Sequence, residues 1–308
     1  MARVFHLDCI SSCPLGGKLM DGRSETLAAK LVCHCLLVEG PRGLVLVDTG
    51  YGLQDVAHPV PRLSRFFLAL LRPELREERT ARRQIEGLGY RAEDVRDIVL
   101  THLDFDHAGG LDDFPHAAVH MLAPEQDAAL ARRTLLDRMR YRPAQWRTSR
   151  ERWRSYAPVR GEAWFGFRRA QPVAGAGDVV LVPLEGHTLG HAGVAVRGDG
   201  GWLLLAGDAY FYRGEMDLRR PHCTPGLEAY QTLMEKDRRL RKANQERLRE
   251  LLRRHGGEVT VLCSHDAVEL ETLPRARPAV AHRGGIAPLA AGGIAPLAAG
   301  GDGAPRVG

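Results

Sequence analysis

The 308-residue sequence contains no run of about 18 consecutive apolar residues, which excludes a membrane-spanning helix as a sequence reading. Its first 17 residues lack the basic start and long apolar stretch of an export signal, so a cytoplasmic protein is expected. Six cysteines (Cys9, Cys13, Cys33, Cys35, Cys223 and Cys263) show no framework spacing, which excludes a disulfide-stapled scaffold and leaves free thiols. Lysine is scarce: apart from Lys18, Lys30, Lys236 and Lys242, the 43 basic residues are arginine. The net charge is only +5, and along 72–83 and 236–254 the arginines alternate with acids. That is the pattern of a solvated helix face and not the unbroken basic stripe of a nucleic-acid surface. With 44% hydrophobic residues the chain has enough apolar mass for a large core, so disorder throughout is excluded as well.

The apolar residues fall into short bursts. Residues 30–38 and 44–47 predict a hairpin that ends at Asp48-Thr49-Gly50. Further strands are predicted at 98–100, 119–122, 179–184, 192–196, 202–205 and 259–263, helices over 61–87 and 124–140, and one long helix or a helix pair over 225–254. From 276 onward the text is Gly/Pro/Ala-rich, with the octet GGIAPLAA at 284–291 repeated at 292–299. Two copies of eight residues cannot build a solenoid, so one catalytic domain over 1–275 and a disordered tail over 276–308 are expected.

Chemistry concentrates after the strand at 98–100, where His102, Asp104, Asp106 and His107 stand within six residues and precede Gly109-Gly110. Clustered carboxylates and imidazoles are costly unless a cation compensates them, so this spacing points to metal. Three more pieces each follow a predicted strand: Gly186-His187-Thr188-Leu189-Gly190-His191, Gly207-Asp208 and Ser264-His265-Asp266.

Together with Asp48-Thr49-Gly50, these blocks resemble the metallo-β-lactamase superfamily over about residues 29–270, in the family's order. The resemblance implies an α/β (α+β) fold, a four-layer αββα sandwich of two mixed sheets flanked by helices. It also implies two divalent ions: His102 and His187 on the first, Asp106, His107 and His265 on the second, and Asp208 as the bridge. Asp104 stands where most of the family has a second His. It is expected to ligate the first ion, which keeps Zn as the leading metal and admits Fe or Mn. His191 and Asp48 are expected to support ligands from behind.

Two ions about 3.5–4 Å apart activate a bridging water for attack on a carbonyl. The motif around 102–110 looks most like the N-acyl-homoserine lactonases, which implies a quorum-quenching lactone or ester hydrolase acting on a small acyl substrate. A glyoxalase-II-like thioester hydrolase is the alternative, and a non-catalytic metal-binding protein of the same fold the outsider. Besides Asp106 and Asp208, the catalytic candidates are Tyr210 and Tyr212, at offsets two and four from Asp208 where the lactonases carry their Tyr at offset three. Phe66, Phe67, Leu70, Leu71, Trp146, Trp164 and Phe167 are candidates for an apolar substrate pocket. Such surface also suits a homodimer contact.

Overall fold

The computed structural model describes residues 2–158 and 161–273; the expected tail at 276–308 lies outside the described residues. Among the described residues, twelve strands form two six-stranded sheets. The first sheet runs in chain order: β1 (Val4–Asp8), β2 (His34–Gly40), β3 (Gly43–Val47), β4 (Val95–Val99), β5 (Ala118–Leu122) and β6 (Trp153–Tyr156). The second comprises β7 (Glu162–Trp164), β8 (Phe167–Pro172), β9 (Val179–Pro183), β10 (Ala192–Gly198), β11 (Gly201–Leu205) and β12 (Val259–Leu262), with β12 at one edge beside β11.

Both sheets are mixed. β3, β4, β5 and β6 pair in parallel, as do β11 and β12, while the remaining ladders are antiparallel. Both faces of β2 and β3 are covered, by the second sheet on one side and by the outer layer on the other, which is why the two strands read as unbroken apolar runs. With a period of two, Leu36, Val38, Val45 and Val47 face the second sheet, packing with Val179, Leu181, Val194 and Leu205. Cys35, Leu37, Leu44 and Leu46 point the other way, into the layer containing Ala81 and Ile85 of helix Ala81–Gly87. Behind the second sheet, Leu248 and Leu251 of helix Arg238–His255 pack on Val182, Ala195 and Leu204. The result is the expected order of helix, sheet, sheet, helix.

Local differences from the sequence reading have identifiable causes. β1 was not foreseen, because only Phe5 and Leu7 of its five residues turn inward. The stretch 124–140 is not one helix: it breaks at Arg132, whose φ of 41° ends helix Ala123–Ala131, and restarts as Leu135–Arg140 under a Thr134 cap. The segment at 225–254, for which the sequence allows one long helix or a helix pair, is the pair Pro225–Met234 and Arg238–His255. Trp146 packs in the layer outside the first sheet, and Trp164 and Phe167 in the one outside the second, so these three are core residues. Phe67 and Leu71 turn inward while Phe66 and Leu70 face solvent.

β9 lies antiparallel to β10, which lies antiparallel to β11, so β9, β11 and β12 share a direction. Their C-terminal ends meet those of β3 and β4 along one edge of the sandwich, and every block of the predicted constellation leaves the sheets there.

Candidate metal centre

At that edge Asp208 stands among four imidazoles. Its Oδ1 is 3.0 Å from His265 Nε2 and 3.3 Å from His107 Nε2; its Oδ2 is 3.3 Å from His187 Nε2 and 3.7 Å from His102 Nε2. The two oxygens of one carboxylate thus face two different histidine pairs, as a bridging ligand requires. Asp106 completes the first of these pairs, 3.8 Å from His265 Nε2 and 3.9 Å from His107 Nε2. Asp104 lies beside the second, 3.1 Å from His187 Nε2 and 3.4 Å from His102 Nε2. All seven sequence-predicted ligands are brought together, and all are buried.

Hydrogen bonds behind the rings fix which nitrogen looks inward. Asp48 accepts from Thr101 N (2.8 Å) and from the Thr101 hydroxyl (2.8 Å), and pairs with His107 Nδ1 at 2.9 Å. With its proton committed to Asp48, the Thr101 hydroxyl accepts from His102 Nδ1 at 2.9 Å. His265 Nδ1 donates to the Val32 carbonyl at 2.8 Å. Each of these three rings therefore spends its N–H outward and turns an Nε2 lone pair toward the Asp208 carboxylate. His191 works one layer back: its Nδ1 donates to Leu184 O and its Nε2 accepts from the Asp208 backbone N–H, both at 2.9 Å. Gly207 is needed beside it, since a Cβ there would stand 2.6 Å from His191 Nε2 at a φ of 57°.

Lone pairs facing a carboxylate in a buried site repel unless a cation lies between them. His102 Nε2, His107 Nε2 and Asp208 Oδ1 have no hydrogen-bond partner although they are buried, so these residues fit a metal ion. The electrostatics agree. Burial opposes charge on Asp208, yet His265, His107 and His187 beside it hold its carboxyl well below the usual range. Burial pushes the Asp106 carboxyl up, and the neighbouring Asp208 and Asp104 carboxylates add to this. A bound cation would reverse that second effect.

Three contributors escaped the sequence reading. Glu125, fully buried, ties two ligand loops together: it accepts from Leu103 N (2.9 Å), from the Thr188 hydroxyl (2.5 Å) and from Gly190 N (3.3 Å). Arg140, also fully buried, donates from Nε to Asp104 Oδ1 at 2.6 Å and from Nη2 to Asp104 Oδ2 at 2.5 Å. Tyr230, half-buried on helix Pro225–Met234, has its ring 5.6 Å from Phe211, which in turn stacks on His265 at 4.9 Å. Burial and the Asp106, Asp208 and Asp104 carboxylates raise the Tyr230 pKa well above the ordinary phenol range, so its hydroxyl stays protonated.

Of the two tyrosines singled out from sequence, Tyr210 turns away from the ligands, while Tyr212 lines a cleft with Phe211 and His265. Tyr210 is fully buried, with its hydroxyl donating to Glu269 at 3.0 Å and 3.1 Å, behind the second sheet. Tyr212 rests its hydroxyl end against Gly22 and its ring against His222. Phe211 between them takes offset three from Asp208 and carries no hydroxyl. An apolar cluster adjoins the ligand loop through Phe105: Tyr51, Leu63, Phe67, Leu71 and Met234 are buried in it, and Leu68, Leu136, Met139 and Tyr230 half-buried.

Comparison with known proteins agrees with this architecture. The family model described as the metallo-beta-lactamase superfamily matches residues 29–249. The probable metallo-hydrolase Rv2300c of Mycobacterium tuberculosis is 43% identical over 267 residues, covering 86% of this chain and 80% of that protein. The N-acyl homoserine lactonase AiiA of Bacillus thuringiensis subsp. kurstaki is 33% identical over 125 residues, 39% of this chain and 50% of that protein. A solved structure of a B. thuringiensis AiiA mutant with N-decanoyl-L-homoserine at its active site superposes with a TM-score of 0.64 at 20% identity, over 88% of this chain and 96% of the other. The chain belongs to the metallo-β-lactamase superfamily and is a metal-dependent hydrolase.

Proposed function

We propose that this hydrolase opens a lactone or cleaves an ester of a small acyl substrate. The observation that carries the reading is the set of inward-facing, unpaired Nε2 atoms around the two oxygens of Asp208, beside an apolar cluster suited to an acyl chain. A divalent ion held by Asp106, His107, His265 and Asp208 would supply a Lewis acid and an activated water; Zn is the leading candidate and Fe or Mn the others. The chain's own residues do the rest. Asp48 and Val32 O keep His107 and His265 in the tautomer that presents Nε2. Tyr230 offers a protonated phenol beside the carboxylates, suited to donating to the substrate carbonyl or to the departing alkoxide. Leu68, Leu136 and Met139, half-buried against the apolar cluster, would shield an acyl chain from water.

The likeness of the motif loop to N-acyl homoserine lactonases supports the lactone over other acyl groups, and quorum quenching is the role such an activity would serve. The test is a hydrolysis panel of acyl-homoserine lactones, aryl esters, thioesters and phosphodiesters on protein of measured metal content. Lactone or ester turnover is expected, lost on chelation and regained with added metal. A kcat/KM that favours thioesters or phosphodiesters, or no turnover of any class, overturns the proposal.

A further inference from the structure

Seven candidate ligands for two ions would place one cation on each face of Asp208, but the two faces differ. On the His107–His265 face no side chain cation approaches within pairing distance of Asp106 or Asp208 among the described residues other than the histidines themselves. On the His102–His187 face a cation is already built in. Arg140 Nη2 stands 2.5 Å from Asp104 Oδ2 and 2.7 Å from His187 Nε2, the same two atoms a first-site ion would bind. A divalent ion needs about 2.0–2.2 Å to each, so it and Nη2 would compete for one position.

The guanidinium is held on its other sides too. Nε engages the second Asp104 oxygen at 2.6 Å, and Nη1 donates to Met234 O at 2.7 Å, at the C-terminal end of helix Pro225–Met234 where a positive charge is favoured. Arg140 itself is the last residue of helix Leu135–Arg140, so backbone structure sets its origin. The pair is electrically complete: one carboxylate and one permanent cation, buried and bidentate. Asp104 in the position of a second His is then explained by its partner, because an imidazole could not form this forked pair.

We propose that the Arg140 guanidinium takes the place of the first-site cation, so that this chain holds one divalent ion, on Asp106, His107, Asp208 and His265. The inference rests on the metal-dependent reading given above and alters the number of ions and the role of Asp104. Arg140 supplies positive charge beside Asp104 and His187 but no open coordination position, which leaves water activation to the other face. It is a positioning residue in this sense: it holds Asp104 and His187 without being a ligand.

The experiment is a Co2+ titration of the full chain, read by elemental stoichiometry and by the visible absorption of the bound ion. The unmodified protein is expected to saturate at one ion per chain. Arg140→Met frees Asp104 and His187 and should admit a second ion at least about 10-fold more tightly than the unmodified protein does. Because that variant leaves a buried carboxylate unpaired, Asp104→Asn combined with Arg140→Met is measured alongside it. The double variant removes both charges and should keep one ion, which assigns that ion to the other face.

Two ions of comparable affinity in the unmodified protein would overturn the role of Arg140 while leaving a metal-dependent hydrolase standing. One ion in the unmodified chain but none in the double variant would also overturn it, since the ion would then sit on Asp104. Absence of any bound ion in the unmodified protein would defeat the metal-dependent reading itself and this inference with it.

Discussion

At the scale of single residues the informative contrast is between tyrosines that resemble a family pattern and a tyrosine that meets the site. Tyr210 spends its hydroxyl on Glu269, which in turn accepts from Cys263 N at 2.8 Å, so its contribution is to the packing behind β12. Tyr230 comes from a helix about twenty residues further on, packs against Phe211, and lies near enough to the Asp106, Asp208 and Asp104 carboxylates for them to raise its pKa. Tyr230→Phe should therefore lower kcat by roughly 10- to 1000-fold with metal content unchanged, the usual cost of losing a donor to a developing oxyanion. Tyr210→Phe should leave kcat within about threefold and instead lower the melting temperature by a few degrees, as loss of one buried hydrogen bond does. Equal, small effects of both changes on kcat would remove Tyr230 from the chemistry. The ligands were legible in sequence because each follows a strand and carries an unusual side chain. Tyr230 and Arg140 were not, because each sits in an ordinary-looking helix and only the crossing of chain segments brings it to the cluster.

The element that matters most for the centre is the short helix Leu135–Arg140. Six residues are too few to be stable alone, so its ends must be held. Thr134 accepts from Asp137 N at 3.1 Å and Asp137 accepts from Thr134 N at 3.0 Å, closing a reciprocal cap; Lys236 pairs with the same Asp137 carboxylate. The Thr-x-x-Asp spelling was present in the sequence, but the surrounding Ala, Leu and Arg are good helix formers on both sides of the break. Nothing like Gly or Pro marks Arg132, which is why one long helix was the natural reading. Replacing Thr134 by Ala should cost about 1 kcal/mol in urea unfolding, with the Ser variant restoring most of it. An unchanged midpoint would show that packing alone holds this helix. The strands tell the complementary story: β2, β3 and β9 to β12 are readable from apolar runs, whereas β1 and β6 to β8 carry too few inward residues to stand out.

Across the whole molecule, carboxylates near the ligand edge are withdrawn from water, and each answers this differently. Asp55 keeps its charge company through Arg62 at 2.8 Å. Asp113 accepts from the Leu53 N–H at 3.0 Å, and burial pushes its carboxyl up to about 7, with Asp55 adding to the rise. A carboxyl with a folded pKa above its unfolded value of 3.8 binds more protons when folded, so the folded state is favoured fully below about pH 4. That contribution is lost progressively as the pH rises through about 7, and a shift of this size corresponds to up to about 4 kcal/mol across the window. Asp113→Asn keeps an acceptor oxygen for Leu53 but cannot ionise. The variant should therefore gain stability relative to the unmodified chain as the pH is raised from 5 to 8, by about 2–3 kcal/mol over that range. Comparing the two proteins at each pH cancels the titration of the metal ligands they share. Unfolding curves that stay parallel from pH 5 to pH 8 would mean that Asp113 ionises freely in the folded protein and that its burial carries no proton.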